Sequence, residues 1–139
     1  MILDWFAQNG LRINQGKTEC LLLQNPKGHQ MPVSPNLLLG TLPLATVEKQ
    51  RVRMLGIWLD TKLTFSEHVN VVAQKLTRIN WILFKLKMLN VPRFVLLRCY
   101  KALLLPYLVF GAPCWGFAAK AHIQRLVVLQ NNAVRTIFD

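Results

Sequence analysis

Between Phe65 and Leu86 the apolar residues Phe65, Val69, Val72, Leu76, Ile79, Leu83 and Leu86 are separated by 4, 3, 4, 3, 4 and 3 positions. That alternation keeps seven side chains on one face of an α-helix through three heptads, and no strand would put them on a common side. The chain therefore has to contain a long helix and an apolar surface to lay it against. Lys75, Arg78 and Lys85 project away from the stripe on the helical wheel. Such a helix is the ordinary form of a core helix with a solvated charged face, and less commonly that of a clamp on a polyanion.

The stretch leading into this helix predicts how it starts. In Arg51 to Asp60 the residues Val52, Met54, Leu55, Ile57, Trp58 and Leu59 surround a lone Gly56. This reads as a strand whose glycine marks a bulge or the close approach of another backbone or a ligand. Asp60-Thr61-Lys62 has turn chemistry. Thr64-Phe65-Ser66-Glu67 has the form of a capping box, with a hydroxyl at the N-cap and a carboxylate three residues on.

The rest of the chain falls into two halves. Met1 to Gln8 reads as the end of a helix closed by Asn9-Gly10. Lys17 to Gln24 reads as a strand, and Asn36 to Leu44, interrupted by Gly40 and Pro43, as a weak or edge strand. With Arg51 to Asp60 this predicts about three strands in a small antiparallel sheet. After Thr64 the pattern is wholly helical. The first helix ends near Asn90, and Pro92 opens a second whose apolar face is Phe94, Leu97, Tyr100, Leu104 and Leu108. A third runs from Ala121 to Phe138 with Ile123, Leu126, Val127, Val134 and Ile137 inward and Arg125 and Arg135 outward. The expected fold class is α+β, a small sheet (1–62) followed by a three-helix bundle (63–139).

Composition narrows the functions such a fold could serve. A chain of 139 residues has room for one modest core. Seventeen Lys+Arg against six Asp+Glu give a net charge of +11, yet 53% of residues are hydrophobic. A basic disordered tail would be polar, so the charge points to a phosphate-bearing partner of a folded chain. Cys20, Cys99 and Cys114 show no CxxC spacing and read as reduced, buried thiols of an intracellular protein, in nucleus or cytoplasm. No secretory signal is visible after Met1. Ala102 to Ala119 is uncharged for 18 residues, just the lower length of a membrane span. Pro106, Gly111, Pro113 and Gly116 would break it, so a buried helix ending near Pro106 is expected and no membrane partner.

A search for catalytic chemistry returns little. The carboxylates Asp4, Glu19, Glu48, Asp60, Glu67 and Asp139 are scattered, and no two announce a metal pair. His29, His68 and His122 have no partner at metal-ligand spacing and read as surface or packing residues. Neither a phosphate-binding glycine loop nor a nucleophile elbow occurs. Lys17 opens a strand after a glycine turn, where a lysine is either solvated or presented to a phosphate. Trp58, Trp81 and Trp115 read as core in preference to base-stacking platforms.

One ordered set of residues is more specific. Trp5-Phe6, Asn9-Gly10-Leu11-Arg12-Ile13-Asn14 and Lys17-Thr18 resemble the segment that follows the catalytic carboxylate motif in reverse transcriptases of non-LTR (LINE-type) retrotransposons. Arg53-Met54-Leu55-Gly56-Ile57-Trp58-Leu59-Asp60, Leu63-Thr64-Phe65 and His68 resemble the next block, which holds the primer-grip turn and the start of the thumb. Tyr100-Lys101-Ala102-Leu103, Leu105-Pro106-Tyr107-Leu108, Gly111, Trp115, Leu129-Gln130 and Arg135 are similar to the thumb region beyond it.

The resemblance implies roles for particular residues. Lys17 would assist departure of pyrophosphate, Leu55 and Gly56 would position the primer end, and Lys75, Arg78 and Lys85 would track the backbone of an RNA template paired to a DNA primer. It implies a palm end over 1–62 and a thumb over 63–139. It also implies Mg²⁺ for the complete polymerase, held by a tyrosine-x-Asp-Asp motif and an earlier aspartate that this sequence does not contain. On that reading the chain is a fragment that retains at most template–primer binding, has no metal site or cofactor of its own, and leaves apolar faces for fingers and palm to cover. The alternatives are a stand-alone basic nucleic-acid-binding or interaction module and, further off, a membrane-associated protein.

Overall fold

The computed structural model describes residues 2–14, 18, 21, 23, 38–39, 42–43 and 51–139. The strand expected over Lys17 to Gln24, most of that over Asn36 to Leu44, and Lys17 itself lie outside the described residues. The elements in order are α1 (Ile2–Gln8), β1 (Leu38–Leu39), β2 (Leu42–Pro43), β3 (Arg51–Met54), β4 (Ile57–Asp60), α2 (Ser66–Met88), α3 (Arg93–Cys99), a π-helical turn (Tyr100–Leu104), α4 (Leu105–Val109), α5 (Ala112–Trp115) and α6 (Lys120–Phe138). The class is α+β. The described strands make two separate antiparallel pairs, β1 with β2 and β3 with β4.

Arg51 to Asp60 is two strands and not one. Met54 pairs with Ile57 and Arg51 with Asp60, leaving Leu55 and Gly56 as a two-residue connection. Both have positive φ, 48° and 92°, the signature of a type I′ turn whose twist matches the strands it joins. The lone glycine marked a reversal of direction. A leucine in place of the usual Asn or Asp hid it from the sequence.

α2 takes the stripe as expected. Val69, Val72, Leu76, Ile79 and Leu83 are buried, with Ala73 filling the gap between turns and Phe65 packed at the edge of the core. The helix stops on a Schellman motif. Asn90 adopts φ 54°, its N–H bonds to Lys87 O at 2.9 Å and the Val91 N–H to Leu86 O at 3.2 Å, which satisfies two of the last orphan carbonyls. α1 ends the same way, with Gly10 at φ 66° and the Leu11 N–H on Phe6 O.

Against α2 lie α6 and the α3–α4 rod. α6 buries Leu126, Ala133 and Ile137, with Ile123 and Leu129 packed beside them. Val127 and Val134 are exposed. The small Ala133 takes the inward place because it allows the helices to approach closely, and apolar size alone misassigned the face. Similarly, Leu96 is buried in α3 while Phe94 is 63% exposed. Two polar contacts cross the bundle. Asn80 Nδ2 donates to Leu129 O at 2.8 Å, and Gln130 Nε2 to the Tyr100 hydroxyl at 2.9 Å.

Pro106 does not end its helix. The N–H of Leu105 bonds to Tyr100 O, five residues back, and this widened turn absorbs the proline ring that a tight α-turn would reject. The helix runs on to Val109, turns at Phe110-Gly111 and restarts as α5. Ala102 to Ala119 is thus folded back on itself around the buried Trp115. Among the described residues no helix is long and apolar enough to cross a membrane. Cys99 and Cys114 carry free thiols, and Cys114 is exposed, contrary to the buried thiol expected.

Candidate nucleic-acid interface

The hairpin of β3 and β4 is fixed to the start of α2 by one carboxylate. Asp60 Oδ2 accepts from the Thr64 backbone N–H at 3.0 Å and from the Thr64 hydroxyl at 2.7 Å, and Oδ1 from the Phe65 N–H at 2.9 Å. Burial would raise its pKa, but the hydrogen bonds from Thr64 and Phe65 outweigh that and hold it below the usual carboxylate range. These bonds stabilise a cramped path in which Leu63 and Phe65 both take left-handed backbone, at φ 51° and 56°.

The capping box does not form. Phe65 occupies the N-cap with no side-chain cap bond, and Thr64 Oγ1 only reaches the Ser66 N–H at 3.4 Å. Glu67 instead turns outward to Arg51, Oε1 to Nη1 at 2.9 Å. A negative group near the helix N-terminus is favourable either way, but here it ties the helix to β3.

The far end of the hairpin meets the corner between α4 and α5. A Cβ on Gly56 would lie 3.3 Å from Phe110 Cε1, and one on Gly111 would lie 2.5 Å from Ile57 Cδ1. Both places favour glycine for conformation, at φ 92° and 65°, and Gly111 needs it for space as well. Trp115 Nε1 donates to Phe110 O at 2.8 Å and pins the corner. The result is a turn whose apex, Leu55, is 87% exposed while its base is clamped from both sides.

Of the basic residues singled out from the sequence, Arg78 and Lys85 stand on the exposed face of α2. Lys75 is displaced from them. It is half-buried, with Nζ 4.6 Å from the centroid of the Tyr107 ring, so its charge is partly spent on α4. Lys85 Nζ lies 5.5 Å from the centroid of Trp81. From Glu67 to Lys85 the axis advances roughly 27 Å at 1.5 Å per residue. Leu55, Gly56 and the α2 cations therefore do not converge on one pocket. They mark an elongated footprint.

Trp81 escaped the sequence reading, while His68 takes one of the two places given to it. Trp81 was expected in the core and is 62% exposed. The heptad stripe, which runs through 79 and 83, already excluded it. His68 was read as a surface or packing residue. It is buried, 5.7 Å from Trp115 centroid to centroid, with neither ring nitrogen hydrogen-bonded. Burial, and after it the positive charge of Lys75, lowers its pKa and so favours the neutral ring. Trp115 is core as expected, and Trp58 is half-buried beneath the Arg51 guanidinium.

No group of three His, Cys, Asp or Glu suited to a metal ion occurs among the described residues. Asp60 and Glu67 are engaged in the contacts above, so these side chains do not fit the Mg²⁺ that the resemblance implies for the complete polymerase.

Comparison with known proteins agrees with the ordered motifs. The chain is 33% identical over 138 residues to the RNA-directed DNA polymerase from mobile element jockey of Drosophila melanogaster, with 96% of the chain matched. It is 30% identical over 135 residues to the probable RNA-directed DNA polymerase from transposon BS, with 86% matched, and 27% identical to that from transposon X-element, with 96% matched, both of the same fly. It spans only 14% of the length of each of these relatives. No family model and no solved structure matches it significantly. In sequence, then, the chain is a relative of the RNA-directed DNA polymerases of non-LTR retrotransposons and corresponds to one segment of such an enzyme.

Proposed function

We propose that this chain is the end of the palm (1–62) and the thumb (63–139) of a retrotransposon reverse transcriptase, acting inside the cell in nucleus or cytoplasm, and that it grips an RNA template paired with a DNA primer. The observation that carries this is the charge layout of α2. Its one carboxylate, Glu67, is tied to Arg51, and the exposed face beyond carries Arg78 and Lys85 with no acid paired to them among the described residues. Phosphates supply the missing negative charge.

On this reading the hairpin apex Leu55-Gly56 meets the primer end and Lys17 assists departure of pyrophosphate. Catalysis belongs to the remainder of the polymerase, whose aspartates would hold the Mg²⁺, and the fingers and palm that cover this piece are its protein partners. The stand-alone binding module has no observation in its favour that the fragment lacks.

Binding of the purified chain to a labelled RNA–DNA primer–template duplex at two salt concentrations, with Mg²⁺ and nucleotides present, tests the reading. Salt-sensitive binding without primer extension is expected. Changing Arg78 and Lys85 to Gln should flatten the salt slope by up to about 0.9 for each phosphate no longer neutralised. Lys75→Gln should flatten it less, because Lys75 rests on Tyr107. An unchanged slope in the double variant would remove the assignment of α2.

A further inference from the structure

Trp81 is 62% exposed, and among the described residues its indole N–H has no hydrogen-bond partner. Trp115, by contrast, is buried and its indole N–H donates to Phe110 O. Trp81 stands in the middle of the exposed face of α2, with Arg78 three residues before it, Lys85 four residues after it, Phe84 on the next turn and Met88 on the one beyond. Those spacings make Arg78 and Lys85 its neighbours on the helix surface, and the Lys85 ammonium sits 5.5 Å from the ring centroid. Arg78 has no ion-pair or hydrogen-bond partner among the described residues.

A large aromatic surface left in water between two uncompensated cations calls for an occupant that is flat, polarisable and anionic at its edges. A protein surface covering Trp81 would have to bury Lys85 and Arg78 as well and find them carboxylates, or leave the charges desolvated. An unpaired nucleobase has no such difficulty. It offers a π-face to the indole and brings its own phosphates to the flanking side chains. Bases inside a duplex are already stacked on both faces and offer none.

We infer that Trp81 is a stacking platform for an unpaired base of single-stranded nucleic acid, with Arg78 and Lys85 holding the adjoining phosphates. The inference rests on the proposed nucleic-acid role of α2 and goes further, from duplex backbone to single strand. Stacking at one base is a sequence-tolerant contact, so it acts on any strand that runs along the helix.

The test compares 12-nucleotide rU and dT strands with a blunt RNA–DNA duplex, by intrinsic tryptophan fluorescence and by affinity, for the wild type and for Trp81→Leu and Trp81→Tyr. Far-UV circular dichroism confirms that the variants keep their helices. Both single strands are expected to quench the wild type. Trp81→Leu should lose that quenching and bind single strand roughly ten-fold more weakly, the size of one base stack, with duplex affinity unchanged. Trp81→Tyr should recover most of the affinity. A preference of rU over dT would identify RNA as the strand held, and equal binding a platform indifferent to the sugar.

Duplex binding with normal salt dependence, but single-strand affinity unaltered in Trp81→Leu, would overturn the platform and leave the α2 reading standing. Binding of neither nucleic acid would overturn both. Loss of self-association in Trp81→Leu by sedimentation, with single-strand affinity unaltered, would overturn the platform by making this face a contact between protein copies.

Discussion

Replacing Asp60 by Ala tests whether one carboxylate, and not a capping box, joins hairpin to helix. The side chain accepts three hydrogen bonds at 2.7 to 3.0 Å. Thr64 is exposed, so water replaces both of its bonds at little cost. The Phe65 N–H is partly buried, and a hydrogen bond from such a donor to a charged carboxylate contributes about 2 kcal/mol. The positive φ of Leu63 and Phe65 is present with or without the carboxylate and cancels from the difference. A loss of about 2 kcal/mol at a urea m-value near 2 kcal/mol/M moves the midpoint down by about 1 M.

The same measurement on Glu67→Ala should show a shift several-fold smaller, since the Arg51–Glu67 pair is largely solvated and such pairs contribute about 0–1 kcal/mol. Because the folded-state pKa of Asp60 is lowered, its contribution is complete above the ordinary carboxylate range near pH 4 and fades as pH falls through the lower folded value. Asp60→Ala should therefore lose less relative to wild type in acid than at pH 7. A Glu67→Ala midpoint below that of Asp60→Ala would refute the reasoning and restore the capping box.

Three further outcomes are expected. Leu55→Asn should raise stability by about 1 kcal/mol in urea titration, since Asn accepts positive φ far better than Leu and the leucine side chain is mostly in solvent. Gly111→Ala should lower it by roughly 2 kcal/mol, because its Cβ both meets Ile57 and adopts φ 65°, and chemical shifts of β4 should move with it. His68→Leu should be neutral or stabilising by about 1 kcal/mol at pH 7, as it removes a buried group with no hydrogen bond. The wild type, whose folded His68 binds a proton more weakly than the unfolded chain, should lose stability as pH falls below about 6.5 toward the folded value, and His68→Leu should flatten that slope in melts from pH 7 to 5.

The parts of this fold that were legible in the sequence are those set by long periodic burial. The stripe through Val69 and Leu83 gave α2 its length and buried face, and Asn9-Gly10 gave α1 its end. What was hidden depends on contacts between distant residues or on the absence of a side chain. Nothing at Glu67 announces Arg51 as its partner. Ala133 was passed over for Val134 because fit against a neighbouring helix, not apolarity, decides which residue turns inward. Leu55 concealed a hairpin because its side chain argues against the backbone it adopts. The basic residues of the candidate interface were legible on one helix, but the setting of Lys75 on Tyr107 was not, because a wheel drawn for α2 contains nothing of α4. The units expected over 1–62 and 63–139 are also joined across their border by Asp60 and by Arg51–Glu67.

The widened turn at Tyr100–Leu104 has a consequence for descent. The π-turn fits one residue more than an α-turn into about the same rotation, so a one-residue deletion that restored regular winding there would leave all that follows facing much as it does now. Tyr107 would stay near Lys75 and Gly111 near Ile57. What would change is the room for the ring of Pro106, which a regular turn rejects. Lineages one residue shorter opposite 100–104 should therefore lack the proline at 106 while keeping glycine at 56 and 111, so that a gap in an alignment there travels with a proline and not with the hairpin.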